Sequence, residues 1–359
     1  MTPAVFWVYM GILVDAIAIK ISPEVLRLVA GIDEFKGAWR AFRNIAPDRL
    51  NLLRKVATIE SVGSSTRIEG AKLTDGEIER LLSGVGLARL RSRDEAEVAG
   101  YAEAMNLVFE SYADIPLDEN HIKQLHQVLL KRSSKDARHR GEYKKLPNDV
   151  AAFDADGKNV GVVFETATPF DTPRKMRELV EWFDRETRAN QHHTLILIAV
   201  FIVHFLAIHP FQDGNGRLSR ILTTLCLLKA GYLYVPYSSL ERVVEENKDR
   251  YYLALRRAQA NLYSDNARLG DWLMFFLQAL KTQTEVLSRK LDREKGLLEV
   301  PKLSQEILAI AREHGRVTVR DACRLTGANR NTVKVHLKGL VQKRLLFLEG
   351  TGKGAWYRT

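Results

Sequence analysis

Cysteine is almost absent. Cys226 and Cys323 stand alone and far apart in a chain of 359 residues. Two such residues build neither a disulfide framework nor a thiolate metal site. A reducing, cytoplasmic setting is expected, with both thiols acting as small buried hydrophobes. A long apolar run is missing too. The most apolar stretch, VFWVYMGILVDAIAI at residues 5–19, is interrupted by Asp15, and its clean part from Ala4 to Val14 falls short of a bilayer span. No Lys or Arg precedes it, so the charged start of a signal peptide is lacking. No membrane association is expected. Residues 1–21 read as an apolar extension, either a docking element or the product of an upstream start codon. Internal repeats and low-complexity tracts are also lacking, which excludes solenoids and tails of biased composition.

What is present is ordinary in bulk and uneven in place. Apolar residues make up 46% and charged residues 27%, the balance of a soluble globular protein with a core of normal size. The net charge of +10 is concentrated: residues 301–359 hold 12 Lys and Arg against 4 Asp and Glu, the first 300 residues 42 against 40. That asymmetry predicts a separate C-terminal module with an acidic partner, nucleic acid among the options.

The apolar spacing is helical almost throughout. Ser22 and Pro23 open a first helix as N-cap and N1 residue. Further helices are expected at 49–66, with Leu52, Leu53, Val56 and Ile59 near one face, from Thr74 to about Gly84, and over 92–112 and 117–131. Between Gly141 and Pro173 the signal fails. DADG (154–157) reads as a turn between 150–153 and 159–164, a short β-hairpin or flap. Helices resume at 173–188 and 194–208, the latter apolar enough to be central. More follow at 218–230, 239–260 and 271–295. The last segment predicts helices at 303–313, 320–325 and 329–340, a turn at Gly327, and short strands at 345–348 and 356–357. That is the order of a winged helix-turn-helix.

HPFQDGNGRLSR, residues 209–220, follows the apolar helix. A loop entering a helix N-terminus is an anion site: free N–H groups and the helix dipole face whatever binds. Gly214 and Gly216 let the backbone approach phosphate oxygens, and Asn215 can donate from its amide. Arg217 and Arg220, three apart, emerge near one helical face with two guanidinium forks suited to polyphosphate. Asp213 offers a hard oxygen to Mg2+. His209, with an ordinary pKa near 6.5, can accept a proton from a hydroxyl nucleophile. Phe211 anchors the loop in the core. The set reads as in-line attack of a hydroxyl on a metal-bound nucleotide phosphate.

The stretch resembles the Fic/Doc family signature H-x-F-x-D/E-G-N-G-R-x-x-R at all eight specified positions. The resemblance implies transfer of AMP from ATP to a Ser, Thr or Tyr hydroxyl of a target protein or of the chain itself. His209 would be the base and Asp213 the Mg2+ ligand. Gly214, Asn215, Gly216 and Arg217 would face the phosphates, and Arg220 would take the terminal one. The expected hairpin falls where the family has a target-docking flap. RGEYK (140–144) is similar to the stretch before that flap, with Lys144 where Arg is common; no catalytic role is assigned to it. SSTRIEG (64–70) resembles the family's inhibitory motif S/T-x-x-x-E-G/N through Ser65, Glu69 and Gly70. Glu69 is four residues from Ser65 and would share its face if the helix runs that far. It is expected to pair with Arg220 where the γ-phosphate would sit, turning the α-phosphate out of line. Stretches at 32–37, 57–70 and 93–105 are also similar to the N-terminal part of multi-domain members, so the resemblance covers roughly residues 22–290.

His204 is expected in the core rather than at a ligand. His192 and His193 lack a third metal ligand, and His121 and His126 form no zincin pattern. Asn329, Arg330, Thr332 and Lys334 open the expected recognition helix, where base contacts are usually made. The expected fold is mainly α: a Fic-type helical bundle with a small β-hairpin flap, plus a C-terminal winged helix-turn-helix. Its divisions are 1–21, 22–115 with the inhibitory motif, 116–298 as the catalytic core, and 299–359. The expected function is an autoinhibited protein adenylyltransferase using ATP and Mg2+, with a homodimer as a family expectation. The alternatives are a nucleotide-sensing DNA-binding regulator and removal of AMP from a modified protein, with Glu69 positioning a water.

Overall fold

A computed structural model describes residues 21–40, 47–83, 90, 92–153, 159–260, 262, 269–298, 301–343 and 345–359. The apolar extension at 1–20 and the DADG turn fall outside them. The chain divides into two compact units, 1–284 and 285–359.

In the first unit, α1 (Pro23–Trp39) starts as expected, with Ser22 Oγ accepting from the Val25 N–H at 3.2 Å. Then come α2 (Pro47–Ile68), α3 (Asp75–Leu82), α4 (Arg93–Ser111) and α5 (Glu119–Leu129). Helix α3 opens on a Thr74–Glu77 capping box, which satisfies two otherwise free N–H groups. The hairpin joins β1 (Val150–Phe153) to β2 (Asn159–Phe164), antiparallel, with Val150 opposite Phe164 and Phe153 opposite Asn159. It is followed by α6 (Thr172–Ala189) and α7 (Thr194–Ile208). Every residue of α7 after Thr194 is buried, as an apolar-all-round helix requires. Trp272 Nε1 donates to the Ala199 carbonyl at 2.7 Å, tying α11 (Gly270–Leu298) to this central helix.

Three expectations are corrected. Leu52 and Val56 are 57% and 41% exposed; α2 instead buries Ala57, Ile59 and Val62 with Ser61, Ser64, Ser65 and Thr66. Small polar side chains pack there with partners of their own: Thr66 Oγ1 donates to the Val62 carbonyl at 2.9 Å and Ser65 Oγ accepts from Arg220 Nε at 2.8 Å. Helix α8 (Asn215–Lys229) begins three residues before the expected 218, because Gly214 at φ 81° caps it. The segment 239–260 is two helices, α9 (Leu240–Glu246) and α10 (Lys248–Gln259). Asn247 separates them: its side chain donates to the Val243 carbonyl at 2.9 Å, a local bond that competes with helix continuation.

The second unit holds α12 (Lys302–Glu313), α13 (Val319–Thr326) and α14 (Arg330–Gln342), then β3 (Phe347–Glu349) paired antiparallel with β4 (Trp356–Arg358). Ile307, Leu308, Val317, Val333, Leu337 and Leu346 form its core. Gly327 at φ 69° ends α13, where glycine pays no Cβ penalty.

Candidate active site

The motif begins where α7 ends. His209 takes a left-handed backbone, φ 52° and ψ 59°, while its N–H still closes the helix onto the Phe205 carbonyl at 2.9 Å. Positive φ at a non-glycine residue costs energy and persists only where the surroundings enforce it. Here they do. The His209 carbonyl accepts from Asn148 Nδ2 at 3.2 Å and the Phe211 carbonyl from the same nitrogen at 2.6 Å. The Lys144 N–H donates to the Pro210 carbonyl at 2.8 Å. His209 Nδ1 lies 3.3 Å from the Leu206 carbonyl. A carbonyl only accepts, so Nδ1 carries the proton and Nε2 keeps its lone pair. Burial, with the Lys144 cation behind it, pushes the imidazole down to a pKa of about 4 despite the Leu206 carbonyl, Glu69 and Asp213. The ring is therefore neutral at pH 7.

Phe211 is fully buried and stacks on His126, ring centroids 3.8 Å apart. His126 is itself fixed. Its Nδ1 accepts from the Gly141 N–H at 2.9 Å, so its Nε2 is the donor to the Asp213 carbonyl, also at 2.9 Å. Burial holds it neutral, with a pKa near 4. Asn215 turns its amide inward: Oδ1 accepts from the Phe211 N–H at 2.9 Å and Nδ2 donates to the Phe211 carbonyl at 2.6 Å. The side chain thus braces the loop rather than facing the open side. Gly214 N–H donates to Asp213 Oδ1 at 2.6 Å.

Charge is arranged in layers. Asp213 pairs with Arg217 at 3.2 Å and with Arg93 at 3.5 Å. Burial works against its charge, but Arg217, the Gly214 N–H and Arg93 outweigh burial and hold the carboxyl below its ordinary range. Arg217 is buried and meets Glu97 at 2.9 Å; Glu97 in turn meets Arg93 at 2.7 Å. Arg220, one turn on, is buried too. Its Nη2 donates to Glu69 Oε1 at 2.7 Å and to the Ser65 carbonyl at 3.0 Å. Burial opposes this cation, but Glu69 reverses the balance and its pKa is raised. Glu69 lies directly over Gly216: a Cβ there would collide with the carboxylate. The chain leaves Glu69 through Gly70 at φ 104°, a conformation side chains rarely adopt. Helix α2 is held from behind by Arg67, which bonds Glu245 at 2.6 Å and Asp75 at 2.9 Å.

The structure therefore brings Ser65, Glu69, His209, Asp213, Gly214, Gly216 and Arg220 together across 155 residues of sequence. Asn329, Arg330, Thr332 and Lys334 lie in the second unit, all exposed around the start of α14. Four supports escaped sequence reasoning: Glu97, His126, Asn148 and the Lys144 amine. Lys144 Nζ donates to Asn148 Oδ1, Thr166 Oγ1 and the Ile208 carbonyl at 2.6, 2.8 and 3.1 Å; burial pushes its pKa down to about 8. Nothing local in sequence marks them, since their partners are set by tertiary packing. His204 is buried as expected. Among the described residues no helix is long and apolar enough to cross a membrane.

Residues 116–227 match the Fic/DOC family. A probable protein adenylyltransferase of Aquifex aeolicus is 33% identical over 99 residues, 28% of either chain. The protein adenylyltransferase Fic of Drosophila grimshawi is 26% identical over 234 residues, 65% of this chain and 44% of that one. The chain thus spans less than half the length of these relatives. A Fic family protein from Desulfovibrio desulfuricans has a similar fold, with TM-score 0.60 at 23% identity over 94% of this chain and 96% of that one.

Proposed function

Because residues 116–227 are a Fic/DOC family domain, we propose that this chain transfers AMP from ATP to a hydroxyl side chain of a target protein or of itself, restrained by Glu69. The observation that carries the reading is the neutral His209, its Nε2 lone pair free, on the loop that enters α8 beside Arg220. The names of the aligned relatives support it. The target hydroxyl loses its proton to His209 Nε2 as its oxygen attacks the α-phosphorus. The bond from that phosphorus to the β-bridging oxygen breaks, and pyrophosphate leaves. The N–H groups at the start of α8 and Arg220 hold the phosphates. Asp213 fits a divalent cation: its carboxylate is held ionised, is 32% exposed, and meets Arg93 only at 3.5 Å. Mg2+ needs only one or two carboxylates beside phosphate oxygens and water; when bound it would neutralise charge on the phosphates. Glu69 restrains the reaction by occupying Arg220, so that a terminal phosphate must displace it.

A second activity is favoured by the exposed Asn329, Arg330, Thr332 and Lys334 at the start of α14, in a unit of three helices and a hairpin. This layout suits a winged helix on DNA. A homodimer and a cytoplasmic setting complete the proposal.

The test uses Mg2+ with ATP labelled at the α- or the γ-phosphate. Protein label from the α-position only, lost in His209→Ala, is the expected result. Label from the γ-position would replace adenylyl transfer by a kinase-like orientation.

A further inference from the structure

The consecutive carbonyls from Ile208 to Phe211 are all taken up by one short segment, 144–148. Lys144 Nζ donates to the Ile208 carbonyl at 3.1 Å, and the Lys144 N–H to the Pro210 carbonyl at 2.8 Å. Asn148 Nδ2 gives its two protons to the His209 carbonyl at 3.2 Å and the Phe211 carbonyl at 2.6 Å. The Ile208 carbonyl is one that the end of α7 leaves without a partner in the helix, and the negative end of the helix dipole favours a cation there. Lys144 supplies that cation from inside the fold, at 3% exposure. Burial pushes its pKa down to about 8, so at pH 7 it is still mainly an ammonium.

The other two ammonium protons reach away from the turn. They go to Asn148 Oδ1 at 2.6 Å and Thr166 Oγ1 at 2.8 Å, and Thr166 Oγ1 donates on to Asn148 Oδ1 at 3.0 Å. An ammonium only donates, so the oxygen end of the Asn148 amide must face it. That turns Nδ2 toward the two carbonyls of the motif. Asn148 stands two residues before β1 and Thr166 two residues after β2. The two ends of the hairpin are also joined directly, with the Thr166 N–H donating to Asp149 Oδ1 at 2.8 Å. The three protons of one amine thus reach the end of α7, the entry to the hairpin and its exit. Without that charge nothing forces the direction of the Asn148 amide, and that amide helps to hold His209 at φ 52°.

We infer that Lys144 is a positioning residue for His209. Its ammonium locks the carbonyl turn from Ile208 to Phe211 onto both ends of the hairpin, so that the imidazole and the hairpin are set as one piece. The inference rests on the reading of His209 as the base. It also makes the tautomer of that ring depend on a side chain outside the motif. The ring keeps Nε2 bare because Nδ1–H meets the Leu206 carbonyl at 3.3 Å, and the turn that Lys144 holds is what aims Nδ1 there. A ring released from that bond has no fixed tautomer.

The test reads the ring itself, by 15N NMR of histidine-labelled protein with the His209 signals identified by their loss in His209→Ala. The wild type should show a protonated Nδ1 and a bare Nε2. Lys144→Met, which keeps the length of the side chain and removes the charge, should lose that signature. In a Glu69→Gly background the same change should lower transfer from Mg-ATP about a hundredfold, while affinity for Mg-ATP, read by calorimetry, stays close to that of the parent. Lys144→Arg restores a cation with donors and should recover most of the loss. Thr166→Val removes one acceptor of the ammonium. It should move both readouts the same way by a smaller factor, and it decides the matter if Lys144→Met does not fold. A His209 signature unchanged in both Lys144→Met and Thr166→Val overturns the inference, whatever the transfer rates. So does a loss of transfer matched by an equal loss of ATP affinity, which would mark general damage to the loop. Absence of transfer in Glu69→Gly with Lys144 intact would instead sink the proposed reaction, and the ring signature would still judge Lys144.

Discussion

The first unit's site and the start of α14 both carry cations, but under opposite conditions. Arg217 and Arg220 are 2% and 7% exposed and each meets a carboxylate. Arg330, Lys334 and Lys338 are exposed, beside Val335 at 70% exposure. A buried charge has to bring its partners with it. Each site arginine therefore pulls in residues from distant segments, and each partner becomes part of the chemistry. A solvated charge needs no such company; it acts through number and field. Substitutions in the two places should thus differ in kind: large and cooperative in the first, small and additive in the second.

The sharpest contrast should come from His209→Ala, which is expected to lower AMP transfer about a thousandfold or more while ATP affinity, read by calorimetry, stays close to wild type. Transfer within tenfold of wild type would remove His209 as the base. Acid comes next. His126, His204 and His209 are each pushed down to a pKa of about 4 by burial. Unfolded, each takes up a proton near pH 6.5; folded, only near pH 4. Their stabilising effect is therefore full above pH 6.5 and is lost as pH falls through 4, by up to about 3 kcal/mol for each histidine. Melting temperatures between pH 7.5 and pH 4.5 should drop steeply, and a flat profile would contradict the lowering of these three imidazoles by burial. Asn215→Ala is a smaller break. It strands the Phe211 N–H, while the Phe211 carbonyl keeps its bond from Asn148 Nδ2, and should cost about 1–3 kcal/mol of stability, together with transfer activity. An unchanged melting temperature would mean that the loop does not need that brace. Smallest is Lys334→Ala in α14. If the unit binds DNA, it should weaken that binding a few-fold regardless of sequence and lower the salt dependence by about one ion. A loss as large as that of a buried arginine would erase the contrast.

The same difference governs what could be read in advance. HPFQDGNGR announced its loop because glycines, a histidine and arginines have few other uses at that spacing, and α7 declared itself by being apolar on every face. The pairing of Glu69 with Arg220 could be expected only through a resemblance, since 151 residues separate them. Glu97 was invisible: a glutamate in an amphipathic helix looks solvated until a buried arginine is placed against it. Asn148 and Lys144 lie in irregular chain, where no periodicity speaks. Asn215 was expected to offer its amide outward, whereas the folded loop uses both ends of that amide itself. Exposed residues such as Arg330 and Lys334 were legible from charge alone, because nothing in the fold has to complete them.

The most direct measurement is the rate of α-phosphate label incorporation by the wild-type protein and Glu69→Gly, side by side, in Mg2+ and ATP. Freeing Arg220 from its carboxylate should raise incorporation by on the order of 10–100-fold. Equal rates in the two proteins would contradict the account, because the pair at 2.7 Å would then restrain nothing.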